Sequence, residues 1–243
     1  MNKKQILPLL GILALLVIIP VATSYFMRNG FELRIAALQD DEPANVVVTD
    51  ATSNSFRVSW ITEREVIGAV ELSDGATFSE SDSTSYHVVN VVGLQSSTDY
   101  KFSLSSGAKD FEEEYSQSTA QAVLSDEQFP IYGQVFSADG FSFQQGGIIT
   151  LSLDTGSTQS QALSTSINET GGYQFDLGKL HTADLKSKFP YQEEATATLT
   201  IYTSHEQEGI EKMTPVDFSM NRQMQNIYLG EVNIDVIPGI EGN

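Results

Sequence analysis

Across residues 46–123, apolar and polar side chains alternate in short runs: NVVVTD, SFRVSW, IGAVELS, YHVVNVVGL, YKFSLSSG and STAQAVL. A period of two sends successive side chains to opposite faces of an extended chain, so each run describes a strand with one buried face. Turn-rich segments separate the runs, notably DATSN, DGATFSESDSTS and AKDFEEEYSQ, at the spacing of a β-sandwich. Charged residues make up only 19 % of the chain, and its apolar residues come in short runs, which favours strands over amphipathic helices. The expectation is an all-β protein, and 243 residues give room for two compact domains.

In SFRVSW, Phe56, Val58 and Trp60 share one face, and in GLQSSTDY Leu94 precedes Tyr100 by six positions. A tyrosine ring taken into a core needs a partner for its hydroxyl. Taken with the strand spacing, Trp60, Leu94, Thr98 and Tyr100 resemble a fibronectin type III domain over residues 43–124. That resemblance implies a two-sheet sandwich with a core tryptophan on its second strand. It also implies that the tyrosine hydroxyl turns back to bond backbone near the preceding corner, which makes Tyr100 a structural residue. Ser96 stands where the family usually has proline. A similar sandwich precedes the catalytic domain of purple acid phosphatases, with a histidine at the position of His87. The metal-binding clusters of that catalytic domain have no counterpart downstream here, so the enzymatic reading does not transfer.

Residues 125–130, SDEQFP, read as a short polar hinge that makes the two domains neighbours in a rod. Beyond it, Gly133, Gly140 and Gly146 punctuate strands, and a turn at Gly171 and Gly172 feeds the alternation Tyr173, Phe175, Leu177. The order of strands, glycine turns and GGYQFDL resembles a carboxypeptidase regulatory-like, transthyretin-like β-sandwich over residues 131–237. Gly133, Gly172 and Tyr173 are its markers. HTADLKSKFPYQEE reads as an insertion with one helical turn, and residues 238–243 as a tail.

At the amino terminus, Lys3 and Lys4 precede residues 6–27, which contain no charged side chain. About 20 such residues span a hydrocarbon core of roughly 30 Å as a helix. The run is longer than the apolar region of a secretory signal, so residues 1–28 are expected to be a retained single transmembrane anchor, with signal cleavage and secretion as the alternative. The flanking lysines place the amino terminus in the cytoplasm and the domains outside. Residues 29–42, ending in an acidic cluster, read as a stalk, and Pro43 opens the first domain.

A net charge of −19 repels a phosphate backbone and argues against nucleic-acid partners. With no cysteine, disulfides and thiolate metal sites are excluded. His87, His181 and His205 have neither the spacing of a zinc site nor a Gly-x-Ser-x-Gly elbow beside them. Acidic stretches, among them KDFEEEY and the pair Asp154 and Asp176, lack the alternation of a calcium loop. Glu112 to Glu114 and Glu193 with Glu194 read as surface charge, and the many serines as solvated strand faces. NET at residues 168–170 matches a glycosylation acceptor and also a turn. No catalytic residue, cofactor or metal is expected. The expected function is that of a non-catalytic, bacterial-type membrane-anchored surface protein, whose loops at residues 74–85 and 107–118 serve adhesion or contact with an envelope protein. The alternative is a carbohydrate-binding or substrate-docking module for a separate enzyme, working through exposed rings such as Tyr115, Tyr191 and Tyr202.

Overall fold

The alternating runs fold as strands whose apolar faces meet in pairs of sheets. The computed structural model describes residues 41–107, 109–122, 128–190, 194–217 and 222–230. The expected membrane segment, most of the stalk, residues 125–127 of the hinge and the tail lie outside the described residues. Among the described residues no helix is long and apolar enough to cross a membrane.

Strands β1 (Ala44–Thr49), β2 (Ser55–Val66) and β5 (Thr84–Val92) form one antiparallel sheet in the order β1-β2-β5. Strands β3 (Gly68–Leu72), β4 (Thr77–Ser79) and β6 (Asp99–Ser106) form a second, with β7 (Lys109–Asp110) and β8 (Tyr115–Ser118) on the far side of β6. Phe56, Val58 and Trp60 from β2 meet Val70, Leu72, Phe102 and Leu104 from the opposite sheet, all essentially buried. Each large apolar side chain withdrawn from water in this way contributes about 2 kcal/mol. Residues 44–118 are thus a fibronectin type III-like sandwich of three strands against a larger sheet. The Tyr100 hydroxyl accepts the backbone N–H of Gln95 at 2.8 Å, while its ring lies 6.5 Å from that of Phe56. The final strand ends at Ser118 rather than running through STAQAVL. There the buried Thr119 donates its hydroxyl to the Gln95 carbonyl at 2.6 Å, and the Ala120 N–H leaves the ladder for the carbonyl of Thr52 at 2.9 Å.

In the second half, β10 (Ile148–Asp154), β11 (Leu163–Ser166), β13 (Glu194–Tyr202) and β14 (Ile210–Asp217) form a sheet in the order β11-β10-β13-β14. Strands β9 (Pro130–Phe136), β12 (Gly172–Asp176) and β15 (Ile227–Tyr228) form the other, in which β15 runs parallel to β9. Between them lies a separate core built on Ile131, Val135, Tyr173, Phe175, Ile149, Leu151 and Leu199. Phe129 already packs against this core and Pro130 opens β9, so the second fold begins inside the stretch read as hinge. The stretch read as a helical insertion holds no α-helix among its described residues. A single 3-10 turn, Leu177–Lys179, precedes it.

From Glu42 onward the chain is one compact unit. Ser59, Ile61 and Thr49 point away from the first core yet are buried. What covers Thr49 and Ser59 is the outer face of β11. Ser164 shares hydroxyl hydrogen bonds with Thr49 at 2.6 Å and Ser59 at 3.2 Å, and its N–H donates to Asp50 Oδ2 at 2.8 Å. The same seam carries Asp50 N–H to the Ala162 carbonyl at 3.0 Å, Gln161 Nε2 to the Ala51 carbonyl at 3.0 Å, and the Arg57 guanidinium to the Ser164 carbonyl. Further along, Tyr86 donates to the Thr203 carbonyl at 3.0 Å, and Asn45 Nδ2 to the carbonyls of Ser204 and Gln207. Leu185, from the expected insertion, packs against the first core and accepts Gln121 N–H at 2.9 Å. The contact is lateral, along a sheet face, rather than the end-to-end junction of a rod. Serines expected to be solvated are therefore buried partners here. Asn45, Asp50 and Leu185 have φ of 54°, 53° and 61°, a left-handed conformation that costs an L-residue energy and persists where surroundings enforce it.

Candidate functional site

His87 on β5 is fully buried, and its position follows from three contacts. Its ring stacks on Trp60 with centroids 4.7 Å apart and planes at 18°. Nδ1 lies 2.7 Å from Glu80 Oε2, and Nε2 lies 2.8 Å from the Thr62 hydroxyl. Thr62 gives its own proton to the Arg64 carbonyl at 2.7 Å, and a carboxylate can only accept. Glu80 also accepts Gly68 N–H at 3.1 Å and Val88 N–H at 2.8 Å. Carboxylate, imidazole and hydroxyl thus stand in the sequence of a nucleophilic triad. Thr62 is 2 % exposed and its oxygen is engaged, so the arrangement is a core clamp with no approach for a substrate. His205 meets the Glu42 carbonyl at 3.0 Å, and the His181 carbonyl accepts Gln161 N–H at 3.0 Å. The three histidines serve separate places in the fold.

The loops following β3 and β6 come together. Ser73 and Gly75 face Asp110, Phe111, Glu112 and Glu114 across an open cleft of about 510 Å³, floored by Leu72 and Phe102 with Glu71 at its edge. Its rim is acidic, with two local cations engaged: Lys101 pairs with Glu114, and Lys109 lies 4.6 Å over the ring of Phe111. Among the described residues no group of three or more His, Asp and Glu is disposed to hold a metal. Asp154 and Asp176 cap separate turns, Asp154 through Gly156 N–H at 2.6 Å and Asp176 through Gly178 N–H at 3.0 Å. Bonds to Gln159 and Gly156 hold the Asp154 carboxyl below the usual range. At the seam the opposite holds: burial raises the Asp50 carboxyl above 3.8, against the lowering influence of Arg57 at 3.5 Å. Asn168 turns its carboxamide oxygen onto Thr170 N–H and Gly172 N–H, so NET forms a closed turn.

Of the rings named from sequence, Tyr191 lies outside the described residues. Tyr115 stacks on Phe102 at 5.6 Å and donates to Glu113, and Tyr202 is half-buried. A different group is brought together on the outer face of β12-β9-β15. Phe136 stacks on Tyr228 at 5.0 Å and lies 5.1 Å from Phe143, and Phe141 at the tip of the 137–142 turn is 90 % exposed. Alternation in IYGQVF already set Tyr132 and Phe136 opposite the core residues Ile131 and Val135. Phe143 and Tyr228 reach Phe136 only through strand pairing, which no local pattern announces. Of the second domain's markers, Tyr173 is buried opposite Gly133, where any Cβ would strike the phenol, its Cζ being 2.6 Å away.

No family model matches the chain, and no curated protein matches it. Among solved structures it is similar to a two-domain fibronectin type III segment of chicken tenascin, at 10 % identity and a TM-score of 0.25. That alignment covers 73 % of this chain and 99 % of that one. The FN1–FN3 domains of chicken CNTN1 align at 7 % identity and a TM-score of 0.23, over 76 % of this chain and 67 % of that one. The BSP domain of a biofilm associated protein aligns at 12 % identity and a TM-score of 0.27, over 72 % of this chain and 30 % of that one. These scores are too low to mark a shared arrangement of whole chains, and the reading of the site rests on its own residues.

Proposed function

We propose that this is a non-catalytic, membrane-anchored surface protein, held by residues 6–27, that uses its β-sandwiches as a rigid platform for contact with an envelope protein. In this reading residues 43–124 are a fibronectin type III-like domain, residues 131–237 a transthyretin-like one, and the amino terminus lies in the cytoplasm. One observation carries it: the loops after β3 and β6 converge on a single acidic cleft. Such a cleft suits a basic segment of a partner, because carboxylates with low-dielectric walls behind them concentrate negative potential. The buried seam supports a platform role, since it leaves the loops no independent sandwich motion. The test is to treat intact cells carrying the full chain with a membrane-impermeant amine cross-linker. The expected result is labelling of the chain and a cross-linked envelope protein that is lost in Glu112→Gln/Glu114→Gln. A chain that stays unlabelled until cells are opened would overturn the reading.

A further inference from the structure

We infer that the outer face of β12-β9-β15 binds an uncharged polysaccharide, an assignment that rests on the surface-protein reading and names a second ligand class for it. Along β9, Tyr132 and Phe136 point outward while Ile131 and Val135 enter the core. Four residues of strand separate the two rings by about 13 Å, long enough to meet more than one sugar ring of an extended chain. Gln134 lies between them on the same face, and Gln174 is paired opposite Tyr132. At the Phe136 end the face widens, because Tyr228 and Phe143 flank it with centroids 5.0 and 5.1 Å away. Aromatic faces carry partial negative charge and attract the C–H faces of sugar rings, while carboxamides donate to and accept from hydroxyls.

Charge selects the class of ligand. The chain carries −19 overall, yet Tyr132, Gln134, Phe136, Gln174 and Tyr228 on this face are uncharged, and Asp176, the outward acid at the end of β12, accepts the N–H groups of Phe129 at 2.8 Å and Gly178 at 3.0 Å. The nearest acid in the 136–144 segment, Asp139, is fully engaged in its own turn. Its carboxylate accepts Phe141 N–H and Ser142 N–H, both at 2.9 Å, and the Ser142 hydroxyl at 2.6 Å. The turn backbone that carries Phe141 is therefore held in place before a ligand arrives, which lowers the ordering cost of binding. A polyanion would be repelled by the net charge. A basic peptide would find its complement in the acidic cleft instead.

The test is sedimentation of the purified full chain with cellulose, starch or chitin, with polygalacturonate and phosphatidylcholine vesicles as contrasts. Saturable retention on at least one of the three uncharged polymers is expected. Tyr132→Ala and Phe143→Ala should each weaken it about tenfold, the size of one lost aromatic contact, and Phe143→Trp should keep it. Emission of Trp60, the one tryptophan in the chain, reports that the two alanine variants remain folded. Absence of retention on all three polymers, or retention by both alanine variants as strong as that of the wild type, would overturn the assignment. So would vesicle binding lost in Phe141→Ala without any polysaccharide retention. Retention is measured without cells and surface labelling on intact cells, so failure of this assignment is told apart from failure of the surface reading.

Discussion

Asp50 and Ser164 join the two sandwiches, the N–H of Ser164 donating to Asp50 Oδ2 at 2.8 Å and its hydroxyl to the same oxygen at 3.5 Å. These bonds sit where both side chains leave their own cores, and the Asp50 carboxyl is raised above 3.8 chiefly by burial. For a carboxyl with a raised folded-state pKa, the protonated form favours the fold. Its contribution is therefore complete below 3.8 and is lost as pH rises through the higher folded value. Asp139, Asp154 and Asp184 are lowered instead, and their contributions fade as pH falls below 3.8. Urea midpoints of the wild type should fall relative to those of Asp50→Asn as pH is raised above 3.8. Parallel curves for the two proteins would contradict the assignment.

Gly68 lies where the Trp60–His87 stack leaves no room. A Cβ there would stand 2.5 Å from Trp60 Cζ2 and 2.6 Å from His87 Nδ1. Gly68→Ala should destabilise the protein by about 1–3 kcal/mol, as overpacking does, and shift the emission of Trp60 to the red. A denaturation curve read by that emission checks both outcomes at once.

Glu80 supports His87 and the N–H groups of Gly68 and Val88 together. Its removal leaves a buried ring nitrogen and two backbone N–H groups without their acceptor, so Glu80→Ala should cost about 1–3 kcal/mol. Glu114→Ala, which breaks a solvent-exposed pair with Lys101, should change the midpoint very little. Equal effects from the two would show that the clamp around His87 is not what holds this end of the sandwich.

The same substitution should act in opposite directions at two tyrosines. Tyr100→Phe removes the acceptor for Gln95 N–H and should cost about 1 kcal/mol. The hydroxyl of Tyr173 is buried with no hydrogen-bond partner among the described residues, and burial drives its pKa upward. Tyr173→Phe removes that uncompensated group and should leave stability unchanged or raise it by about 1 kcal/mol. Thermal unfolding of the two variants side by side distinguishes the cases.

Alternation in the runs around Phe56, Trp60, Phe102 and Leu104 was enough to place those strands and their inner faces, whereas the last strand stops at Ser118, short of the run STAQAVL. A strand's period of two depends only on which residues one face must hide. The corner at Tyr100 was implied by the fibronectin type III resemblance, and its hydrogen bond spans only a few residues of one loop. Nothing local distinguished Ser59 and Ser164 from serines that face water. Their burial depends on a second sheet arriving from over a hundred residues away, and an outward face reads as polar whether water or another hydroxyl satisfies it. The aromatic face is of the same kind: Tyr132 and Phe136 were visible as an outward alternation, whereas Phe143 and Tyr228 join them through pairing. Local sequence determined strands and inner faces. Tertiary structure decided which outer faces are sealed and which remain open to a ligand, because that choice depends on contacts between segments far apart in the chain.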